Sequence, residues 1–195
     1  MSWIFLSMVL WGSLHSLLAS LKAKELARRW FSENFMHFYR LFYNALAVLS
    51  FLPVLAIATL TNGSTLYVVP FPWSGLMVLG EILAVAGLAI GLHETDMWEF
   101  LGLRQLGRSK GPSRLKTTGL YRYVRHPLYS AGLAFIWLFP RMTLMILALN
   151  LALTIYILIG AFFEERKLQR EFGQEYIDYA ALTPMLIPFI KGKSK

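Results

Sequence analysis

Five apolar runs are the feature that most constrains how this chain can fold. They cover about residues 2–20, 41–60, 73–92, 128–139 and 142–163. About 20 apolar residues in a helix cross the hydrocarbon core of a bilayer, and a hydrophobic content of 56% exceeds that of an average soluble protein. We therefore predict an all-α integral membrane protein with about five transmembrane helices in a single domain of 195 residues. The first run has no basic residue before it, so we interpret it as a retained span and not a cleaved signal.

The last two runs are short for two separate crossings. Residues 128–163 correspond to about 54 Å of helix at 1.5 Å per residue, which is tight for a chain that crosses a bilayer twice. Pro140 followed by Arg141 marks a break between the runs. A single bent span would put the basic C-terminal tail on the opposite side from the other basic stretches, so we predict a hairpin of two short, tilted helices.

Basic residues define the expected orientation in the membrane. Nearly all of them lie in three stretches, residues 22–40, 104–125 and 166–195, whereas residues 61–72 contain none. With five spans, the three stretches share one side, which the positive-inside rule makes cytoplasmic. We therefore expect the N-terminus outside and the C-terminus in the cytoplasm. The chain has a net charge of +8, and its basic residues flank the apolar runs without forming a single stripe. The predicted partner is therefore a bilayer with anionic headgroups and not nucleic acid.

A cationic elbow precedes the fourth run, within Gly119–Tyr129. His126 stands before Pro127, which favours an extended conformation at the histidine and a helix that begins at the proline. The free N–H groups at such a helix start favour an anion, and Arg125 lies beside them. The alternative interpretation is a basic membrane flank followed by a proline-started helix.

An acidic pair, Glu164-Glu165, closes the fifth run. Acidic side chains at a helix C-terminus oppose the helix dipole unless a cation binds there, although a solvated helix end is the alternative. Phe172-Gly173 is typical of a helix C-cap, and the segment after it, with Tyr176 and Tyr179, is predicted to fold back as a cytoplasmic helical lid. Elbow and acidic pair would then meet at one membrane face and form a site for a zwitterionic ligand.

Other polar residues within the runs give weaker signals. His15 and Glu81 are intramembrane ionisable groups whose roles stay open. The segment Gly102–Ser109 has P-loop spacing but carries arginine in place of the lysine, and the chain has no GxGxxG or HExxH sequence. His93-Glu94 lacks a second histidine at metal-ligand spacing, and the chain contains no cysteine. We predict no metal site.

Several ordered motifs together resemble a known enzyme superfamily. They are Gly119-Leu-Tyr121, Arg125-His-Pro-Leu-Tyr129, Glu164-Glu165, Phe172-Gly173-Gln-Glu-Tyr176 and Pro184 to Pro188. This set resembles the isoprenylcysteine carboxyl methyltransferases, integral-membrane enzymes that use S-adenosylmethionine. Within the superfamily, the chain is most similar to methanethiol S-methyltransferases and their nitric-oxide-metabolism-associated relatives. That likeness is carried by His15-Ser16, Glu99-Phe-Leu-Gly-Leu-Arg-Gln105 and Tyr156-Ile-Leu-Ile.

The resemblance implies S-adenosylmethionine as the cofactor, bound within residues 104–195. The residues that it implies at the cofactor are Ser113, Arg114, Leu115, Lys116, Tyr121, His126, Pro127, Leu128, Tyr129 and one of Glu164 or Glu165. The charges of these residues agree with such a cofactor, because its carboxylate would bind at the elbow and its ammonium and sulfonium groups would bind at the glutamates. Arg125 and His126 are also the catalytic candidates, since cations near sulfur favour a thiolate.

The pattern also restricts the methyl acceptor. Carboxyl methyltransferases of this group carry an arginine one helical turn before the acidic pair, where this chain has Gly160 and Ala161, so a carboxylate acceptor is disfavoured. The thiol-methylating relatives have a histidine at the place of Met97. We expect transfer to a thiol or another small or lipophilic acceptor on the cytoplasmic face. The alternatives are isoprenylcysteine carboxyl or phospholipid methylation, and a non-catalytic transporter or sensor subunit.

Overall fold

The computed structural model describes residues 2–31, 33–61, 63–95 and 114–188 of the chain. Its elements in chain order are α1 (Ser2–Ala19), α2 (Leu21–Trp30), α3 (Glu33–Leu60), β1 (Thr65–Val68), α4 (Trp73–Glu94), a short 3-10 helix (Gly119–Arg122), α5 (Pro127–Trp137), β2 (Arg141–Thr143), α6 (Leu144–Phe172) and α7 (Gln174–Leu182).

The fold is mostly helical, and a helix lies at each of the predicted runs. Three are long and apolar enough to cross a bilayer within the described part of the chain, namely α4, α6 and the stretch Phe38–Leu60 of α3; counting the bent pair α1–α2 as one span gives four. The protein is thus an integral membrane protein. Helix α5, with 11 residues, extends over only about 16 Å, so the prediction of five crossings stays a prediction.

The structure adds one element to the expected fold and corrects one expectation. The mostly helical fold agrees with the predicted all-α class, and β1 and β2 add a two-stranded sheet to it; such short strands leave no readable alternation in the sequence. The helix that contains the fifth run does not end at the acidic pair, because α6 continues to Phe172. The residues between are good helix formers, so Glu164 and Glu165 lie inside a helix and the dipole argument does not apply to them. The predicted C-cap is confirmed, since Gly173 has a φ of +56°.

The described residues form two compact units. In the first, which includes α1 and α3, the two helices are antiparallel: Trp11 Nε1 donates to the Ala47 carbonyl at 3.0 Å, and Tyr39 Oη donates to the Leu18 carbonyl at 2.7 Å. Between these contacts, His15 Nε2 lies 2.6 Å from Tyr43 Oη. The core of this unit consists of Ile4, Met8, Val54, Ala58, Ala148, Leu149 and Ala152.

In the second unit, α5 packs closely along α4 through glycines. A Cβ added at Gly80 would lie 2.6 Å from Leu138 Cδ1, and one at Gly91 would lie 2.9 Å from Leu128 Cδ2. The two helices are therefore antiparallel. Beyond α5, the Pro140 carbonyl accepts from the Val69 N–H at 2.9 Å. The chain thus returns along α4 from the elbow to the level of β1 before α6 begins. The second helix of the predicted hairpin is not short, because α6 has 29 residues.

Candidate active site

The elbow is held by the chain that follows α7. His126 is the N-cap residue of α5 and Pro127 begins the helix, as its missing N–H predicts. The N–H of Arg125 donates to the Pro184 carbonyl at 2.9 Å, and that of His126 donates to the Met185 carbonyl at 3.1 Å. These two hydrogen bonds fix the backbone positions of Arg125 and His126, from which the two cationic side chains extend.

Arg125 and Glu165 form a bidentate ion pair. Arg125 Nε donates to Glu165 Oε1 at 2.9 Å and Nη2 donates to Oε2 at 2.8 Å. The remaining guanidinium nitrogen donates to the carbonyls of Ala180 and Thr183. Both side chains are only 13% exposed. The pair therefore links the elbow, α6 and the end of α7, and most of the guanidinium's hydrogen-bonding capacity is used inside the protein.

His126 lies between the two glutamates and is 5% exposed. Its Nε2 is 2.7 Å from Glu165 Oε1, and its Nδ1 is 3.6 Å from Glu164 Oε2. Burial alone would lower the pKa of the imidazole, but its hydrogen bonds to both carboxylates and their charges outweigh burial and raise the pKa above its ordinary value of 6.5. The protonated imidazole is favoured in the folded protein.

Glu164 is the more open of the two carboxylates. Its side chain is 43% exposed, against 13% for Glu165. Tyr129 Oη donates to Glu164 Oε2 at 2.8 Å, and the Tyr129 ring stacks on the His126 ring with 5.3 Å between centroids. Glu165, by contrast, accepts from Arg125 and Tyr176 and bonds His126. Of the acidic pair, Glu164 has the greater capacity for an added cation.

Two tyrosines of α7 attach this helix to the site. Tyr176 Oη donates to Glu165 Oε1 at 2.7 Å, and Tyr179 Oη donates to the Tyr121 carbonyl at 2.6 Å. Burial raises the pKa of Tyr179 to about 12. Burial also raises the pKa of Tyr176, and the bonded Glu165 carboxylate adds to the effect. Both hydroxyls thus remain donors at physiological pH, and the segment after Gly173 folds back on the elbow.

A second carboxylate contact, which sequence reasoning missed, fixes the approach to the elbow. Glu94 at the end of α4 accepts from the Leu120 N–H at 3.0 Å, and Lys116 Nζ donates to the Glu94 carbonyl at 2.9 Å. Gly119 has a φ of +66° and lies so close that an added Cβ would collide with the Glu94 carboxylate. Glu94 and Leu120 are 26 residues apart, so local spacing carried no signal for this contact.

The structure thus confirms that the elbow and the acidic pair meet. It places the other predicted site residues as follows: Arg114 and Lys116 are exposed, Leu115, Tyr121 and Leu128 are partly buried, Pro127 is buried, and Ser113 lies outside the described residues. Leu128 packs against Gly91 of α4, and Tyr121 contributes its carbonyl to Tyr179. A role of these residues in binding a cofactor stays a prediction.

The same part of the chain carries a family signature. Residues 74–175, which include the elbow, Glu94 and both glutamates, match the signature of phospholipid methyltransferases. The chain belongs to this family. The match covers 102 of the 195 residues, from α4 to the start of α7. The elbow, Glu94 and both glutamates lie within it, whereas Tyr176, Tyr179 and the segment that holds the elbow follow its end.

Individual members of the family agree with the resemblance seen in the sequence, which is confirmed. The chain is 36% identical to a methanethiol S-methyltransferase of Crocosphaera subtropica over 61% of this chain and 47% of that protein. It is 40% identical to methanethiol S-methyltransferase 2 of Bradyrhizobium diazoefficiens over 58% and 44%. Protein-S-isoprenylcysteine O-methyltransferase B of Arabidopsis thaliana is 29% identical over 59% and 57%. The chain matches about half of the length of these relatives. No solved structure matches it.

Proposed function

We propose that this protein transfers a methyl group from S-adenosylmethionine to a small or lipophilic thiol at the cytoplasmic membrane surface. The observation that carries the proposal is the half-exposed Glu164 carboxylate, held by Tyr129 beside a buried His126, within the family's signature region. A nearby anion stabilises a bound cationic donor, and methyl transfer also requires alignment of the acceptor. Glu164 supplies this anion from the chain's own residues.

The donor set fits S-adenosylmethionine in charge and chemistry. When bound, this cofactor supplies a methyl group on a positively charged sulfonium. Glu164 is the carboxylate that would meet the cofactor's cationic groups, because Glu165 already has its partners inside the protein. The aromatic ring of Tyr129 adds a surface that attracts cations. We therefore assign the cofactor contact to Glu164.

Arg125 and His126 receive different roles. Arg125 donates to Glu165 and to two carbonyls, so we assign it to positioning the elbow and not to the cofactor's carboxylate. The imidazole of His126 lies at the start of α5 and its pKa is raised by both glutamates; when it is protonated, its positive charge would lower the pKa of a nearby thiol. His126 is thus the proposed group that favours the thiolate form of the acceptor, whose proton leaves to solvent.

The acceptor is inferred from the relatives and from Gly160. Two of the similar proteins described above are named methanethiol S-methyltransferases. One turn before Glu164, a Cβ added at Gly160 would meet no atom within 4 Å, so this position leaves room and offers no cation to a carboxylate acceptor. A thiol is therefore favoured over the carboxylate of an isoprenylcysteine.

Methyl transfer by the purified protein tests the proposal. The full chain in lipid nanodiscs is incubated with S-adenosylmethionine labelled in its methyl group and with a short alkanethiol, a prenylcysteine or phosphatidylethanolamine. We expect label in the thiol, and clearly less label in a parallel sample of the Glu164→Gln variant at a cofactor concentration below saturation. Label only in the prenylcysteine or the lipid would contradict the thiol assignment. Cofactor binding without transfer to any acceptor would support the non-catalytic alternative.

A further inference from the structure

Helix α2 has two chemically opposed faces. At helical spacing, Ala23, Leu26, Ala27 and Trp30 share one face, whereas Lys22, Lys24, Arg28 and Arg29 lie on the other. The helix carries four basic residues against a single acidic residue, Glu25. Such a short, strongly amphipathic helix with an aromatic residue and basic side chains is typical of segments that lie in a membrane interface.

The apolar face of α2 is open within the described part of the chain. No residue of the helix is buried, and Leu26, Trp30 and the following Phe31 are 56%, 78% and 55% exposed. Large side chains this exposed would be unfavourable in water but are suited to the boundary between headgroups and acyl chains. The open face therefore needs an apolar occupant.

The position of α2 indicates what that occupant is. The helix joins the ends of α1 and α3, which run antiparallel and contact each other through Leu18 and Tyr39 near that end. It is bent by 64° away from α1, and the Ser20 side chain caps its start by accepting from the Ala23 N–H. A helix that turns this sharply where two apolar helices end is placed to leave the bilayer core and lie along its surface.

We propose that α2 is an interfacial helix that binds the membrane surface. Its apolar face lies at the acyl boundary, and its basic face binds anionic lipid headgroups through Lys22, Lys24, Arg28 and Arg29. The positive charge complements an anionic leaflet, and the apolar face continues the lipid-exposed surface of α1. This inference concerns the first compact unit and is independent of the proposed methyl transfer.

A spin-label scan tests the placement, and the chain offers no cysteine that would interfere. Single cysteines at positions 22 to 30 of the full-length protein receive a nitroxide in vesicles of phosphatidylcholine and phosphatidylglycerol. We expect labels on the face of Leu26 and Trp30 to collide mainly with oxygen, and labels on the face of Lys22 and Arg29 mainly with a water-soluble nickel chelate. Nickel access on both faces, or oxygen access on both, would overturn the proposal. Low access to both reagents at Leu26 would indicate a covering protein, such as a second copy of the chain, and would also overturn it.

The lipid charge is tested by a matched pair of variants. Omitting phosphatidylglycerol should raise nickel access at a label on position 26 several-fold. Replacing all four basic residues of α2 by glutamine should abolish this response. A control with Arg122, Arg166, Lys167 and Arg170 replaced by glutamine loses the same charge and should retain the response. A full response in the α2 variant, or its loss in the control, would contradict binding of anionic headgroups by α2.

Discussion

Two neighbouring glutamates on one helix have different surroundings. Glu165 is enclosed by Arg125, His126 and Tyr176, whereas Glu164 bonds Tyr129 and is three times as exposed, at 43% against 13%. The sequence indicated the meeting of opposite charges but not which glutamate is open. Which glutamate is enclosed depends on contacts with α7, such as the bond from Tyr176. The spacing of residues 164 and 165 cannot predict those contacts.

Loss of the Glu165 carboxylate is expected to destabilise the protein. Glu165→Leu leaves the largely buried Arg125 without its counter-charge, which costs about 3–5 kcal/mol in comparable buried pairs. The apparent thermal unfolding midpoint in detergent measures the effect. The double variant Arg125→Leu, Glu165→Leu should recover part of the loss, because no buried charge is left unpaired. A double variant that is less stable than Glu165→Leu would contradict this account of the ion pair.

His126 makes stability depend on pH. Its pKa is raised above 6.5 in the folded protein by Glu164 and Glu165, which outweigh burial. The protonated side chain therefore contributes stability that is fully present below pH 6.5 and is lost as the pH rises through the folded-state pKa. The difference in unfolding midpoint between the wild type and His126→Gln, measured over that range, should shrink as pH increases. A difference that grows with pH would be inconsistent with a protonated imidazole.

At the scale of elements, the apolar helices were predictable and the segments that connect them were not. The predicted run 73–92 agrees with α4 (Trp73–Glu94), because a long apolar run specifies its own helix. The continuation of α6 and the sheet of β1 with β2 were missed. The continuation of α6 depends on polar residues that favour helix after the apolar run ends. The sheet depends on pairing between segments that are far apart in the chain.

Three glycines provide a graded test of the approach to the elbow. Gly119→Ala forces a positive φ on alanine and displaces the Glu94 carboxylate from the Leu120 N–H, so it should destabilise the protein by more than about 1 kcal/mol. Gly173→Ala adds only the φ strain, because no atom lies within 4 Å of its added Cβ. Gly132→Ala, inside α5, adds neither and is the control. We expect the unfolding midpoint to be highest for Gly132→Ala, lower for Gly173→Ala and lowest for Gly119→Ala. Equal midpoints for the three variants would contradict a steric role of these glycines.

At the scale of the molecule, the proposed five crossings determine where each loop lies. Although α5 is short, the residues after it reach the end of β1, as the bond between Val69 and Pro140 shows. The segment from α5 to β2 therefore follows α4 over most of its length. The basic stretches agree with a cytoplasmic elbow, so we propose that β1 lies outside and the candidate site inside.

Cysteine labelling of intact cells tests this orientation. A membrane-impermeant maleimide should label the exposed position of Thr65→Cys in β1 directly. It should label Arg122→Cys, close to the elbow, only after the membrane is permeabilised. The absence of other cysteines removes background. Labelling of both positions from the same side would contradict the five-span topology.

The most direct test of the account is the affinity of the purified protein for S-adenosylmethionine. Glu164→Gln should weaken equilibrium binding about tenfold, or about 1.4 kcal/mol, at the low end for a charged hydrogen bond because the side chain is 43% exposed. Glu171→Gln, which removes the same charge two turns along α6, should bind as the wild type does. Unchanged affinity in Glu164→Gln, or an equal loss in both variants, would contradict a methyl-donor site at Glu164.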